Sequence, residues 1–303
     1  MAAFSRVTLI GFGEVGQTLG ADLLAAGAQV TAFDILFAKS DSIPSRALAK
    51  IKVKAAKSAA DAVADAELVI SAVTAASDVE AARIIAPHLK RGTFYLDVNS
   101  VSPGVKEACA KIVDGAGGRY VEAAVMTPIA PKRIASSMLL GGVHAAEFLD
   151  RAQPLGFAGA KAFSGRIGQA SATKMCRSVI IKGMEALLTE SMLTARHYGV
   201  EKIVLDSLSD LLPVGDWEKL ARYMISRALE HGKRRAEEMR EAAETVEEAG
   251  LAPLMASATA ARQDWAAAYK AALAEPDLAA LLDAVREHLR TDTVAHGASP
   301  EAA

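Results

Sequence analysis

Hydrophobic and polar positions change their periodicity about half-way along the chain. Up to about residue 165, short runs rich in apolar and β-branched residues alternate with segments whose apolar residues recur at helical spacing. This alternation is typical of βαβ units and predicts a parallel sheet flanked by helices. Strands are predicted at residues 7–10, 29–33, 51–54, 68–73, 93–98 and 120–125, with weaker ones near 138–140 and 161–164.

The second part of the chain carries a different pattern. After about Gly165 the strand patterns stop, and long helical patterns follow one another to about Arg290. The final stretch, TDTVAHGASPEAA, has no such pattern and predicts a flexible tail. We therefore predict an α/β domain with a doubly wound, mostly parallel sheet at residues 1–165, an all-α domain at 166–291 and a tail at 292–303.

Composition narrows the class of protein. The 303 residues are 51% hydrophobic and carry a formal net charge of −2, so the chain can bury substantial cores and lacks the basic surplus of a nucleic-acid-binding protein. Cys109 and Cys176 fit neither a disulfide framework nor a metal-binding spacing, and the histidines have no partners at such a spacing either. We find no signal peptide and no apolar run long enough to span a membrane. These features predict a cytoplasmic globular protein with no metal, no membrane contact and no nucleic-acid partner.

The first βα junction contains a glycine-rich turn. In VTLIGFGEVGQTLG, three glycines at G-x-G-x-x-G spacing follow an apolar strand and open a helix, where they allow a tight turn and close approach of a pyrophosphate. Asp34 ends the next strand, where its carboxylate can bind a ribose and would repel a 2′-phosphate. A structural glycine turn is the alternative, but the context predicts a Rossmann-type site for NAD, with NADP as the second choice. The predicted cofactor-binding residues of this region are Gly11, Phe12, Gly13, Glu14, Val15, Gly16 and Asp34.

Several further motifs, in this order, resemble the β-hydroxyacid dehydrogenase family of the 6-phosphogluconate dehydrogenase superfamily. AELVISAVTAASDVEAA is similar to the family's fourth strand and the loop on the nicotinamide side, YLDVNSVSPG to its D-x-S-T-x-S-P segment, and GRIGQASATKM to the start of its interdomain helix. The resemblance implies a Rossmann domain followed by a helical domain through which two subunits dimerise. It also implies that Val73, Thr74 and Asn99 contact the cofactor.

The same resemblance assigns a catalytic role to Lys174. Oxidation of a hydroxy acid moves a hydride to the cofactor and a proton to a base, and the family's interdomain lysine is that base. A lysine in this role needs a lowered pKa, which burial and a nearby cation such as Arg177 can supply. At 100° per residue, one helix face carries Lys174 together with Ser171, Ser178, Lys182, Glu185 and Thr189. The alternative is an ordinary solvated lysine, and Lys182 is the rival base.

Three departures from the family pattern concern the substrate. Asn99 replaces the usual serine and can still donate and accept hydrogen bonds, while Ser100 and Ser102 remain. A loop with Thr127 and Pro128 replaces glycines, so the substrate carboxylate would be held by Thr127, Lys132 or Arg133. Ser178 replaces an asparagine. The predicted substrate-binding residues are Asn99, Ser100, Ser102, Thr127, Arg177, Ser178 and Lys182.

Together these features predict an NAD(P)-dependent dehydrogenase or reductase acting on the CH–OH group of a small 3-hydroxy acid or its oxo form. The expected partners are a small-molecule substrate and a second copy of the chain. The alternatives are a non-catalytic dinucleotide-binding or interaction protein, and a decarboxylating or imine-reducing relative. Cys176 and the histidine at position 231 are expected to lie outside the site, the cysteine in the core.

Overall fold

The computed structural model describes residues 2–208 and 212–295. The chain divides into two compact units, Met1–Cys176 and Arg177–Ala303. The division falls within one long helix and lies beyond the boundary predicted at residue 165.

The first unit is built around one sheet. Among the described residues, eight strands lie side by side in the order β3-β2-β1-β4-β5-β6-β7-β8. They are β1 Arg6–Ile10, β2 Gln29–Phe33, β3 Lys54–Ala55, β4 Leu68–Ser71, β5 Phe94–Asp97, β6 Arg119–Val125, β7 Met138–Gly141 and β8 Ala160–Ser164. Neighbouring strands are parallel except for β6 and β7, which pair antiparallel. The predicted mostly parallel, doubly wound sheet is confirmed.

The third strand differs from its prediction. The pattern placed it at residues 51–54, but the strand comprises only Lys54–Ala55 at the sheet edge. The amide of Ile51 still bonds to the carbonyl of Ala47 in the preceding helix, and Val53 N–H donates to the carbonyl of Ile51 at 2.8 Å. Residues 51–53 therefore form a bend followed by irregular backbone, because these local hydrogen bonds take backbone groups that a strand would offer its neighbour.

Helices cover the sheet on both faces. Those of the first unit are α1 Glu14–Ala25, α2 Ile43–Leu48, α3 Ala59–Val63, α4 Asp78–Ile85, α5 Pro103–Gly115 and α6 Ala145–Ala152. Alternate residues of one strand face opposite cores: on β4, Leu68 and Ile70 belong to one apolar cluster and Val69 to the other. A sheet buried on both faces is typical of a doubly wound fold.

The remaining helices are long. They are α7 Gln169–Tyr198, within which the two units meet in sequence, then α8 Glu201–Leu208, α9 Trp217–Glu248, α10 Leu254–Ala266 and α11 Leu278–Ala295, with a 3-10 segment at Ala267–Ala274. The second unit has its own apolar core, which includes Met192, Ile225 and Leu281. Helix α11 continues four residues into the predicted tail, and the rest of that tail, residues 296–303, lies outside the described residues. In the part of the chain that is described, no helix combines the length and hydropathy needed to cross a membrane.

Candidate active site

The glycine turn after β1 has the geometry that its spacing predicts. Gly11 has a φ of +88°, and a Cβ there would overlap the carbonyl oxygen of Ala72 at the end of β4. A Cβ on Gly16 would overlap the carbonyl oxygen of Gly11. At Gly13, by contrast, a Cβ would meet no atom within 4 Å. Two glycines are thus required by packing, and the third opens the turn toward space that a ligand can fill.

Helix α1 starts directly at this open position. Its N-cap is Gly13, and no side chain caps its first turn. The N-terminus of a 12-residue helix therefore presents its amides and its positive dipole end beside the open face of Gly13. This arrangement fits the pyrophosphate of a dinucleotide.

Asp34 ties the second strand to the glycine turn. Its Oδ2 accepts from the amide of Phe12 at 2.7 Å, and its Oδ1 accepts from the amide of Leu36 at 2.8 Å. The side chain of Phe12 is buried in the core, against Phe37. The carboxylate therefore lies at the carboxyl end of β2, where a ribose hydroxyl of a bound dinucleotide would be expected. The backbone of Phe12 belongs to the glycine turn, and its ring belongs to the apolar core.

The carboxyl ends of β4 and β5 meet next to this turn. Val73 follows β4, and its Cγ1 would be 3.1 Å from a Cβ on Gly11. The amide nitrogen of the Asn99 side chain donates to Ser71 Oγ at 3.0 Å and to Asp78 Oδ1 at 2.7 Å. These bonds use both hydrogens of the carboxamide, so its carbonyl oxygen is the atom left to contact an incoming ligand.

Lys174 is placed at the end of β5 by the start of α7. Its ammonium donates a hydrogen bond to Ser100 Oγ, and the side chain is half-buried. The start of α7 is held by Glu122 of β6, a fully buried carboxylate that accepts from the amides of Gly168 at 2.7 Å and Ser171 at 2.5 Å. Because Glu122 belongs to the sheet, it fixes the first helical turn and so the position of Lys174 one turn later.

A buried charged cluster lies beneath this segment. Lys106 of α5 donates to Asp97 Oδ1 at 2.7 Å and to the Asp97 carbonyl at 3.2 Å, and both side chains are fully buried. Asp97 also accepts from the Asn99 amide at 2.9 Å and from the Tyr120 hydroxyl at 2.6 Å. Asp78 of α4 is buried beside them, with Oδ2 unpaired among the described residues.

The cluster shifts the pKa values of its members. Burial, followed by the negative charge of Asp97, raises the pKa of Asp78 from 3.8 to about 8. Burial alone would lower the pKa of Lys106, but the charges of Asp97 and Asp78 outweigh it and raise that pKa. Burial and the same carboxylates raise the pKa of the Cys109 thiol. Donor atoms of Asp78, Asp97 and Cys109 lie within 4.8 Å of one another, but the ammonium of Lys106 already supplies Asp97 with a positive charge.

Three predicted substrate residues fall in the second unit. Arg177 is exposed, whereas Ser178 and Lys182 are buried and bonded to each other at 3.0 Å. Lys182 also forms an ion pair with Glu238 of α9 at 2.6 Å. One turn further along α7, Glu185 pairs with Arg235 at 2.7 Å and accepts from Gln263 at 3.0 Å. Part of the polar stripe predicted along α7 therefore packs against α9 and α10.

The remaining candidates lie in loops or caps of the first unit. Ser102 is the buried N-cap of α5, and its hydroxyl accepts from the amide of Val105. Thr127 and Lys132 are exposed in the loop after β6. Arg133 pairs with Asp22 of α1 at 2.7 Å, so it ties that loop to the helix. Substrate contacts by these residues stay predictions.

Cys176 and the histidine at position 231 were both expected to lie outside the site. Cys176 was expected in the core, and that is wrong: its side chain is exposed, because α7 turns this face away from its neighbours. The histidine at position 231 bonds to Arg227 at 2.7 Å on α9, and burial with the Arg227 charge lowers its pKa.

Asp78, Lys106 and Glu122 were not among the residues predicted from the sequence. A signal for the first two was present, since each occupies a position in the apolar stripe of its helix. Lys106 shares the buried face of α5 with Cys109, Ala110 and Val113. A charged residue at such a position is buried only with a partner, which the segment pattern does not identify.

Comparison with known proteins agrees with this geometry. Residues 6–163 match the model of the NAD binding domain of 6-phosphogluconate dehydrogenase, and residues 195–266 match a domain of unknown function, DUF1932. The chain belongs to the β-hydroxyacid dehydrogenase family. Its Rossmann unit thus carries the family's nicotinamide-cofactor domain, and the characterised relatives that match it in sequence are dehydrogenases of CH–OH groups.

Relatives of this family member cover most of its length. A solved structure of a conserved hypothetical protein from Sinorhizobium meliloti 1021 is 34% identical, with a TM-score of 0.76, and the match covers 95% of this chain and 97% of that one. An uncharacterized 28.5 kDa protein of Methanothermus fervidus is 30% identical over 84% of this chain and 96% of its own length. An NAD-dependent L-serine dehydrogenase of Pseudomonas aeruginosa is 26% identical over 70% of this chain and 71% of its own.

Proposed function

We propose that the chain is an NAD-dependent dehydrogenase or reductase that acts on a small 3-hydroxy acid or its oxo form, with Lys174 as general acid/base. The observation that carries the proposal is the hydrogen bond from Lys174 to Ser100, at the carboxyl edge of the sheet that also bears the glycine turn. In doubly wound sheets, ligands bind at this edge, where the strand order reverses. Here that reversal lies between β1 and β4.

The chemistry requires two acceptors. A nicotinamide cofactor, held by the glycine turn and Asp34, would supply the acceptor for the hydride that leaves the carbinol carbon. Lys174 in its neutral form takes the hydroxyl proton, and as an ammonium it returns that proton to the oxo compound in the reverse direction. Ser100 accepts a hydrogen bond from the ammonium, so it orients Nζ in the protonated state.

The neighbouring residues take supporting roles in this proposal. The carbonyl oxygen of Asn99 accepts from the substrate or from the cofactor's carboxamide, because the amide nitrogen is already committed. Ser102 orders the start of α5 below the substrate, while Thr127 or Lys132 holds the substrate carboxylate. Arg177, Ser178 and Lys182 extend the substrate contacts along α7.

NAD is the preferred cofactor in this proposal, and NADP is the alternative. Asp34 is a carboxylate at the end of β2 that would repel a 2′-phosphate. The L-serine dehydrogenase among the relatives is NAD-dependent by name, and L-serine is itself a 3-hydroxy acid, which supports the same substrate class. We also propose a cytoplasmic homodimer that forms through the helical unit.

An absorbance assay at the NADH band tests the proposal. The purified protein is offered 3-hydroxy acids, including L-serine and 3-hydroxyisobutyrate, the corresponding oxo compounds and a set of imines, each with NAD(H) and NADP(H). We expect turnover with at least one 3-hydroxy acid, and a higher kcat/KM with NAD than with NADP. Tight NADH binding without turnover on any compound would favour the non-catalytic alternative. Turnover confined to imines would favour an imine-reducing relative, and turnover with release of CO₂ would favour a decarboxylating one.

A further inference from the structure

Lys106 binds Asp97 at two points. Its ammonium bonds to the carboxylate of Asp97 at 2.7 Å and to the backbone carbonyl of the same residue at 3.2 Å. Both side chains are fully buried. An ammonium that binds the side chain and the main chain of one residue together fixes the direction in which the backbone leaves it.

The backbone that leaves Asp97 leads to Ser100, a hydrogen-bond acceptor of Lys174. The amide of Asn99 donates back to Asp97 Oδ1 at 2.9 Å, and the Asn99 side chain is held by Ser71 and Asp78. Ser100 follows at once, and its hydroxyl accepts from Lys174. The contacts from Lys106 to Lys174 thus run through Asp97, Asn99 and Ser100, which lie within four consecutive residues.

The charges of the cluster complete this arrangement. Asp78 and Asp97 are two buried carboxyl groups facing one ammonium, so the cluster carries a net negative charge unless a proton is bound. Asp78 Oδ2 is buried and unpaired among the described residues, which is the place for that proton. The titratable groups near Asp78 include Asp97 and Tyr95 of β5, Tyr120 of β6, and Lys106 and Cys109 of α5, and Asp78 Oδ1 accepts from the Asn99 side chain.

Stability alone does not call for a lysine at position 106. A buried ion pair adds little to stability compared with apolar side chains of the same volume, because both charges lose their hydration. The ammonium instead fixes the direction in which the backbone leaves Asp97. We propose that Lys106 is a positioning residue of the active site: through Asp97 and Asn99, it sets the place of the Ser100 hydroxyl and thereby the environment of the Lys174 amine.

This inference rests on the proposed role of Lys174, but its test needs no substrate. The reactivity of the Lys174 amine is measured by competitive acetylation across a pH series, with residue-resolved mass spectrometry and exposed Lys90 as internal reference. Ser100→Ala removes the acceptor directly. Lys106→Met removes the positioning group, and Lys111→Met is the matched control, an exposed lysine of the same helix.

Lys106→Met leaves Asp97 without its buried partner, so a second variant protects the test against misfolding. In Lys106→Met/Asp97→Asn the cluster is neutral as long as Asp78 keeps its proton, and the new carboxamide can still bond to Asn99 and Tyr120. Folding of every variant is checked by circular dichroism and by NADH binding.

We expect the double variant and Ser100→Ala each to change the rate of Lys174 acetylation by about fivefold, which is the equivalent of one hydrogen bond of ordinary strength. Lys111→Met should leave that rate unchanged. Adding Ser100→Ala to the double variant should have no further effect, because both act on the same contact. The proposal is overturned if the folded double variant acetylates Lys174 with the wild-type pH profile, or if the two changes add. If the protein turns over no hydroxy acid, the proposed function fails, whereas the acetylation result still decides the positioning role.

Discussion

Each unit of the chain buries a lysine in an ion pair, and the two pairs differ in their charge balance. In the second unit, Lys182 and Arg235 face Glu238 and Glu185, so two positive groups meet two negative ones. In the first unit, Lys106 alone faces both Asp97 and Asp78. Lys182 lies against a carboxylate that is 26% exposed, whereas Lys106 and Asp97 are almost completely enclosed.

The charged cluster of the helical unit serves packing, whereas the charged cluster of the Rossmann unit can gain or lose a proton. The balanced groups of the helical unit link α7, α9 and α10 and need no proton to be neutral as a set. The unbalanced groups of the Rossmann unit need one, and burial followed by the negative charge of Asp97 raises the pKa of Asp78 to about 8. The unbalanced cluster also underlies the segment that holds Ser100, so changes in its protonation are close to the proposed chemistry.

The largest expected effect comes from removing each lysine. Lys106→Met strands a fully buried carboxylate and should lower the free energy of unfolding by about 3–5 kcal/mol, whereas Lys182→Met, whose partner Glu238 can reach water, should cost on the order of 1–2 kcal/mol. Urea unfolding measures both. The tryptophans, Trp217 and Trp265, lie in the second unit, so their fluorescence reports that unit and circular dichroism reports both. Equal losses would remove the contrast between the clusters.

A second effect is the pH dependence contributed by Asp78. Its pKa is raised in the folded state, so the folded protein keeps a proton that the unfolded chain releases near pH 4. The resulting stabilisation is complete below that pH and is lost as the pH rises through about 8. Between pH 6 and pH 9 the wild type should therefore lose on the order of 2 kcal/mol more stability than Asp78→Asn, whose carboxamide mimics the protonated acid. Parallel losses in the two proteins, measured by urea unfolding, would show that Asp78 is ionised throughout.

The smallest effect sets the baseline for both clusters. Lys90 and Asp65 form an ion pair at 2.9 Å, but their side chains are 64% and 79% exposed. Water and salt screen such a pair, so Lys90→Met should leave the urea midpoint unchanged within error. A shift comparable to that of Lys182→Met would mean that burial is not what distinguishes these pairs.

Local patterns predicted much of this molecule. The alternation of strand and helix patterns located the sheet, and glycine spacing located the turn in which Gly11 and Gly16 admit no side chain. Both features depend on residues close together in sequence. The third strand was misplaced because local hydrogen bonds around Ile51 compete with strand pairing, which short periodicity does not register.

Local sequence patterns did not predict which residues form the buried charged cluster. Lys106 is a single charged residue in the apolar stripe of α5, and its partner Asp97 is the last residue of β5, a strand that is otherwise hydrophobic. Only the sheet register, which sets β5 beside β6 and brings Tyr120 to Asp97, shows that these polar groups satisfy one another. Glu122 was missed for the same reason, since the amides it binds lie 46 and 49 residues away.

The most direct test of the account compares Lys174→Met with Lys182→Met on a substrate found in the absorbance assay. If Lys174 is the general acid/base, its loss should lower kcat by about 10²–10⁴-fold and leave the Kd for NADH unchanged. Lys182→Met should raise KM but retain most of kcat, because in the proposed function Lys182 contacts the substrate and does not move the proton. A Lys174→Met enzyme with wild-type kcat, or a Lys182→Met enzyme with none, would contradict the assignment of the base.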